Sequence, residues 1–366
     1  MRICFFSPYI PEHFGGGEKY TLSCCESLSK KHSVYLAIPG QKKFSESRKN
    51  NIRDQYRKRL SVDLSNVKII STPLYTRSSF IKKILWTKQF DRLCYVTDGS
   101  LFYSLAKKNI LHIQVPFTNK HEGFLKRLKL NSWHVKTTYS IFAKKVIEKN
   151  WITKVNFVHY PTTVDFSKVA KPFPKKKKII LSVGRIFKQL HNKRHDVSIK
   201  FFKSLCDKYP KIMKDWQLII VGFVEDKKYF NELRKMSKGY RIVFFNDISS
   251  NKLQKIYKES SIYWHATGYG IDQKKEPQKA EHFGMTTVEA MTHGCVPVVI
   301  NKGGQKEILS PNFKELLWET EKECEMATKK LITNKEYFQR QQKKIYEILP
   351  RFSNKVFEKK LGLIFK

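Results

Sequence analysis

The chain has 366 residues, 41% hydrophobic and 13% aromatic, which is enough for two domains with ordinary cores and too apolar for a disordered chain. No run approaches the ~18 uninterrupted apolar residues of a membrane helix. The net charge of +39 calls for a polyanionic partner (a bilayer, a phosphorylated lipid, nucleic acid or an anionic substrate), unless it is compositional bias, since lysines run through both halves.

Met1–Ile10 carries one charge and a short apolar run before Pro11, so Ile3–Ser7 predicts a first buried strand rather than a signal peptide. Gly15-Gly16-Gly17-Glu18-Lys19 then opens a helix over Glu18–Lys30. Glycines there let the backbone approach an anion at a helix start, although a tight turn without ligand has the same composition. The loop is neither GxGxxG nor a P-loop, which disfavours dinucleotide and ATP sites. Further strands are predicted at Ser33–Ile38, Val67–Ser71, Leu93–Val96, Asn109–Gln114 and Lys154–Val158, with helices near Phe80–Phe90 and over Tyr139–Asn150. Two segments, Phe80-Ile-Lys-Lys-Ile-Leu-Trp86 and Phe124-Leu-Lys-Arg-Leu-Lys-Leu130, interleave apolar and basic residues. They suit either an interfacial surface or an ordinary helix with one core face.

The pattern is interrupted at Tyr160–Pro174 by three prolines and a charge run, the candidate hinge. Lys175–Lys178 follows as a solvated linker. Beyond it strands are predicted at Lys178–Val183, Gln217–Val221, Arg241–Phe245, Ser261–His265 and Val296–Ile300, with helices at Asp196–Lys208 and Tyr229–Ser237. Strands alternating with helices in both halves predict two doubly wound parallel sheets with ligands at the carboxyl ends of their strands. The seven scattered cysteines form no CxxC pair and read as free thiols of a reducing cytoplasm.

The densest chemistry lies in Glu281-His-Phe-Gly-Met-Thr-Thr-Val-Glu289, two carboxylates around a Phe-Gly turn that opens a helix stopped by Gly294. A carboxylate, a helix start and a second carboxylate suit a ligand with hydroxyl-rich ends and an anionic middle, as a nucleotide sugar has. Gly184-Arg185 after a buried strand and Lys193 at the next helix could converge on a diphosphate. Tyr263-Trp-His265 leads into a Gly-containing loop that reaches Glu281. Gly303-Gly304 follows the strand ending at Ile300 and allows a ligand or the opposite domain to approach.

The joint pattern, with Gly15-Gly16-x-Glu18, Gly184-Arg185, Lys193, Gly222, Glu281-x7-Glu289, Gly294 and Gly303-Gly304, resembles the retaining glycosyltransferases of family 4. His159-Tyr-Pro161-Thr-Thr-Val-Asp165 is similar to the segment leading into that family's second domain. The resemblance implies an α/β GT-B fold of two Rossmann-like domains facing a central cleft. Residues 1–165 would bind the acceptor and 166–345 the nucleotide sugar, with a helix in 346–366 packing back toward the first domain. It implies that Glu281 touches the transferred sugar and that amides around Phe283, Gly284, Met285 and Thr286 meet sugar and diphosphate. Glu289 would hold the ribose and Phe245 lie by the base, while Arg185, Lys193 and the loop at Gly15 and Gly16 attend the diphosphate beside Gly184. The family often has a His where this chain has Gln114; His112 lies two residues earlier on the same strand face, and both are candidates to approach the reacting sugar.

The implied activity is retaining, metal-independent transfer of a hexosyl unit from a UDP- or GDP-sugar to a lipid-linked or cell-surface glycan. No resident cofactor is expected, no metal-ligand spacing occurs, and no nucleic acid is expected as partner. The free thiols imply a cytoplasmic enzyme, and the charge and the two interleaved segments imply that it is peripheral on an anionic membrane face. The alternatives are a nucleotide-sugar epimerase or other non-transferase enzyme on the same fold, and a non-catalytic polyanion-binding protein. A glycosidase pair at Glu281 and Glu289 is rejected because the surrounding cations look built for a diphosphate.

Overall fold

In the computed structural model the described residues are 1–12, 14–40, 42–118, 123–161, 164–189, 191–311 and 313–366. The chain divides into two compact units, Met1–Thr163 with Lys355–Lys366, and Val164–Asn354.

Unit 1 runs β1 (Arg2–Phe6), α1 (Gly16–Ser29), β2 (Ser33–Pro39), α2 (Glu46–Leu60), β3 (Lys68–Thr72), α3 (Phe80–Thr87), β4 (Arg92–Thr97), β5 (Lys108–Ile113), α4 (Phe124–Asn131), β6 (Val135–Thr138), α5 (Ile141–Trp151) and β7 (Phe157–Val158). Its seven strands lie in the order β3-β2-β1-β4-β5-β6-β7, every described pairing parallel. The order reverses direction beside β1, so right-handed crossovers put the connecting helices on opposite faces, as in doubly wound sheets. Continuous apolar strands such as Ile3–Phe6 are buried throughout, as a sheet covered on both faces requires.

Unit 2 runs β8 (Lys177–Val183), α6 (His195–Lys208), α7 (Pro210–Met213), β9 (Gln217–Gly222), α8 (Lys227–Met236), β10 (Ile242–Asn246), α9 (Ser250–Glu259), β11 (Ser260–His265), α10 (Met285–Thr292), β12 (Val296–Ile300), α11 (Gln305–Leu309), β13 (Leu317–Trp318), α12 (Glu321–Thr333) and α13 (Lys335–Ile348). Its six parallel strands lie in the order β10-β9-β8-β11-β12-β13, with the reversal at the β8/β11 boundary. The last helix, α14 (Asn354–Phe365), belongs to unit 1 from Lys355 onward. There Phe365 packs against Phe5 at 5.4 Å, and the Arg92 guanidinium donates to the Lys366 carbonyl at 2.8 Å.

Every strand predicted from the sequence forms. The one at Lys154–Val158 shortens to two residues because the Val155 amide donates to Glu148 Oε1 and the Asn156 side chain accepts from the Lys136 amide. Strand β6 was not predicted. Its sequence, Val-Lys-Thr-Thr, carries only one apolar residue, yet all four are buried, the Lys136 ammonium donating to the Trp133 carbonyl at 2.9 Å. Helix α2 also escaped prediction, because it buries only Ile52 and Tyr56. The lysine run is not simply a solvated linker. Lys176 Nζ donates to the carbonyls of Lys258 and His293, at the ends of α9 and α10 where the helix dipoles favour a cation. In the predicted hinge segment, Thr162 and Thr163 lie outside the described residues.

Candidate functional site

In unit 2 the loops after β8 and β11 leave the carboxyl edge of the sheet on either side of the strand-order reversal, where doubly wound sheets bind ligands. The first loop carries Gly184, Arg185 and Lys193; the second runs from His265 to Glu281. They meet in one contact: Lys193 Nζ donates to Glu281 Oε2, and His265 Nε2 lies 3.0 Å from the same oxygen. Gly184 makes this possible, because a Cβ there would sit 2.4 Å from Lys193 Cγ. The lysine stem crosses the backbone where no other residue would let it pass.

Burial opposes the Glu281 charge, but Lys193 and the hydrogen bond from His265 outweigh it and hold the carboxyl well below the usual range. Burial also pushes His265 below the ordinary imidazole value, with Glu281 pulling only partly back. The neutral ring must then carry its proton on Nε2 to serve a carboxylate that can only accept. Glu281 Oε1 has no hydrogen-bond partner among the described residues, which leaves it to accept from a ligand hydroxyl. The site therefore holds a fixed anion and a fixed cation side by side. His265 was a possible lining residue in the sequence; its hydrogen bond makes it the group that orients Glu281.

The helix that follows is set by backbone geometry. Gly284 sits at φ +111°, and a Cβ on it would lie 2.6 Å from the buried Gln305 amide. The first amides of α10, at Met285 and Thr286, belong to the group that no helix can satisfy internally. The Thr286 hydroxyl accepts from Tyr263 at 2.6 Å. Phe283 points its ring into the core against Phe352, leaving only its backbone for a ligand. Glu289, one turn along, accepts from the Tyr257 hydroxyl at 3.3 Å. Within unit 2, Gly303 and Gly304 lie against the Glu281–Phe283 backbone. They receive the motif itself: the Gly304 amide donates to the Glu281 carbonyl at 2.7 Å, and Cβ atoms would fall 2.2 Å from that carbonyl oxygen at Gly303 and 2.4 Å from Phe283 Cα at Gly304.

Arg185 does not join Lys193 in this arrangement; its guanidinium pairs with Glu225 at 3.2 and 3.3 Å. Phe245, next to last in β10, pairs with Val221 near the same carboxyl edge, with Lys252 over its ring at 4.7 Å. His191 was not singled out in the sequence. It stands at φ +61°, its ring edge-on to His282 at 4.0 Å.

In unit 1, Gly15 caps α1 and Gly16 begins it, and Glu18 Oε2 folds back to accept from the Gly15 amide at 2.7 Å. A Cβ on Gly17 would strike Gln114 Oε1 at 2.2 Å, so Gln114 borders the loop. His112 does not. It is fully buried, its ring stacked on Tyr20 at 4.4 Å and tilted against Tyr139 at 4.5 Å, with Nδ1 bonded to Thr137 Oγ1. The strand ends at Ile113, so Gln114 escapes the sheet while His112 remains under it. His112 is thus enclosed by the core of unit 1 in this packing, its Nε2 buried without a hydrogen-bond partner among the described residues. Also unpredicted is a polar cluster after β4, where the unit 1 strand order reverses. Asp98 accepts from Tyr75 at 2.7 Å, Tyr95 at 3.1 Å and the Ser100 amide at 2.9 Å, and Tyr75 is held at φ +59°.

Buried neutral imidazoles carry a pH signature. Burial lowers His159 and His195 to about 4, and pushes His112, His191 and His265 down as well. The unfolded chain binds these protons near pH 6.5, so stability is complete above that value and falls as pH drops toward 4, by about 1.4 kcal/mol per pH unit per histidine. Urea midpoints measured between pH 7 and pH 4.5 are expected to fall steadily across this window. A flat profile down to pH 5 would contradict these burial assignments.

Two doubly wound units, one with an acid–lysine pair at its strand-order reversal, define a class of nucleotide-sugar-handling architecture, and comparison with known proteins agrees. The model for glycosyl transferases group 1 matches residues 164–348, half the chain and nearly all of unit 2, and the chain belongs to that family. Solved GT-B glycosyltransferases share the fold across the whole chain. A glycosyltransferase from Rickettsia africae gives a TM-score of 0.70 at 14% identity, covering 100% of this chain and 97% of its own. Anabaena HepE in complex with UDP-glucose gives 0.67 at 14%, covering 99% and 98%. A GDP-Man:Man(3)GlcNAc(2)-PP-Dol alpha-1,2-mannosyltransferase of Dictyostelium discoideum is 29% identical over 193 residues, which cover 50% of this chain and 35% of that relative's length.

Proposed function

We propose that the chain transfers a hexosyl unit, with retention and without a metal, from a UDP- or GDP-sugar held by unit 2 to a lipid-linked or cell-surface glycan. The Lys193–Glu281–His265 contact at the strand-order reversal carries this reading. Glu281, oriented by His265, accepts from the sugar's hydroxyls through Oε1. The α10 amides at Met285 and Thr286, with Lys193, meet the diphosphate, and Glu289 meets the ribose. Arg185 joins them by exchanging Glu225 for phosphate, a swap its planar fork permits. In the transfer the bond from C1 to the diphosphate oxygen breaks, and the acceptor oxygen bonds C1 on the same face. The acceptor proton passes to the departing phosphate oxygen. Charge accumulates on the nucleoside diphosphate, where fixed cations and a helix start lower the barrier. No enzymic nucleophile is needed.

Support for the donor and acceptor classes comes from relatives: the HepE structure contains UDP-glucose, and the mannosyltransferase named above acts, by its name, with GDP-Man on a PP-Dol-linked glycan. The acceptor falls to unit 1, whose Asp98 cluster offers a carboxylate for its hydroxyls. Asp98→Asn is expected to raise acceptor KM about tenfold, the value of one charged hydrogen bond, with donor KM unchanged; an equal rise in both would remove Asp98 from acceptor binding. The charge of +39 favours peripheral residence on an anionic cytoplasmic membrane face, and no described helix is long and apolar enough to cross a membrane. The reading is tested with a panel of UDP- and GDP-sugars in the presence and absence of EDTA, the product anomer being read by NMR. An inverted product, or transfer abolished by EDTA, would remove the corresponding part of it. Formation of an epimerised nucleotide sugar without transfer would favour the epimerase alternative.

A further inference from the structure

Helices α3 and α4 turn Trp86 and Leu130 toward the core of unit 1 but present most of their other apolar residues outward. A surface helix normally turns its apolar stripe to the core, yet α3 buries only Thr87 and α4 only Leu130. Ile81 is 67% exposed, Leu125 69% and Phe124 76%, with Phe80, Leu85 and Leu128 exposed beside them. The two helices share one surface of unit 1 through Tyr103, whose ring meets Phe80 edge-on at 6.4 Å and lies 6.0 Å from Lys129 Nζ. The Leu105 amide, donating to Thr87 Oγ1 at 2.8 Å, ties the intervening segment to the end of α3, and Leu105 is exposed too.

The same segments are strongly basic, although Lys107 pairs with Asp91 at 2.7 Å and Asp98 lies beside Tyr75. Residues 75–90 hold four Lys or Arg, 99–118 two and 123–134 three, nine in all, with no Asp or Glu among them. Monomeric soluble proteins rarely leave contiguous apolar surface of this kind open to water. A second copy of a chain carrying +39 would bring matching positive faces together, which argues against self-association. Nucleic acid would satisfy the bases but leave Ile81, Leu85, Leu125 and Leu128 facing phosphate. An anionic bilayer satisfies both sets: apolar side chains enter the acyl boundary while lysine stems reach the headgroup phosphates.

We propose that this face, built from α3, Tyr103–Leu105 and α4, is the docking surface of unit 1 for an anionic bilayer. The proposal rests on the peripheral-membrane reading above and specifies the residues that carry it. Tyr75, hydrogen-bonded to Asp98, sits on the loop that enters α3. A lipid-borne acceptor presented at this surface therefore arrives beside the polar cluster assigned to it.

The experiment is co-sedimentation of the full chain with phosphatidylcholine vesicles with and without phosphatidylglycerol, at low and high salt. It compares the native chain with Phe80→Ser/Ile81→Ser/Leu85→Ser, with Phe124→Ser/Leu125→Ser/Leu128→Ser, and with Met326→Ser, an equally exposed apolar residue of unit 2. These positions are open to solvent, so the thermal midpoint and donor hydrolysis should stay unchanged and report that the variants fold. The native chain and Met326→Ser should bind only the anionic vesicles, more weakly at high salt, and each triple variant should lose about tenfold or more in partitioning. If the native chain does not bind, the membrane reading and the docking face both fall. If it binds and both triple variants bind as well, the face is wrong while the membrane reading survives. A lipid-free dimer that the triple variants dissolve, or DNA binding that they abolish while vesicle binding persists, would overturn the assignment in favour of those partners.

Discussion

Lys193→Ala is expected to lower kcat/KM for transfer about 10²- to 10³-fold, the range found when one preorganised group facing transition-state charge is removed. The loss should fall on kcat as much as on donor KM, because in the proposed transfer Lys193 faces a charge that grows as the diphosphate departs. Glu281→Gln should cost about 10²-fold through lost orientation of the sugar, and combining the two should cost less than the product of the singles, since they act as one contact. The pH profile separates this from general damage. In the native chain burial raises Glu281 but Lys193 and His265 hold it well below the usual carboxylate range, so it adds no acid limb near neutrality. Without Lys193 the burial prevails, the carboxyl titrates higher, and activity should fall away at a higher pH than in the native enzyme. Steady-state kinetics across pH 5 to 8 reads this directly. Two variants with additive losses and the native profile would show that the pair is structural.

Gly304→Ala is expected to damage both the stability and the activity of the chain's second unit. Its Cβ would fall 2.4 Å from Phe283 Cα and 2.5 Å from the His282 carbonyl oxygen, and backbone cannot swing aside as a side chain can. The clash should cost about 1–3 kcal/mol of stability as overpacking. It should also displace the turn that opens α10, and a 1 Å error there is worth about 10² in rate. Gly362→Ala supplies the contrast: nothing lies within 4 Å of a Cβ there, and the glycine is inside α14, so the change should stabilise by about 0.4–1 kcal/mol. Equal thermal midpoints for the two variants would contradict the packing described for the motif.

The difference between these glycines shows what a sequence can disclose. Gly303 and Gly304 were legible as sites of close approach, because a pair of glycines after a buried strand has few other uses. What approached was not legible, since the partner, the Glu281–Phe283 backbone, is some twenty residues away in sequence and is brought in by the β11–β12 pairing. The same limit explains His112 and Gln114. Strand alternation puts both on one face, but it does not say that β5 stops at Ile113 or that Tyr20 and Tyr139 close over His112. Asp98 escaped notice for a related reason: its partners Tyr75 and Tyr95 lie on the loop after β3 and on β4, and no local spacing announces them. By contrast, the run from Glu281 to Ile300 is local in every step. A positive-φ glycine opens α10, Gly294 ends it at φ +81°, and an apolar strand follows. Strand positions were likewise clear where both faces of the sheet are covered, and obscure at β6, where Lys and Thr are buried by making hydrogen bonds rather than by being apolar.

In the proposed function unit 2 grips a nucleoside diphosphate through Lys193 beside Glu281. The most direct measurement is the thermal midpoint of the native chain and of Lys193→Ala against UDP, GDP, ADP and CDP at rising concentration. A ligand that binds only the folded state stabilises it by about 2.7 kcal/mol at a hundred times its Kd. UDP or GDP should raise the native midpoint in this saturating way, and the rise should nearly vanish in Lys193→Ala. No shift with any nucleotide, or an undiminished shift in the variant, would contradict that grip.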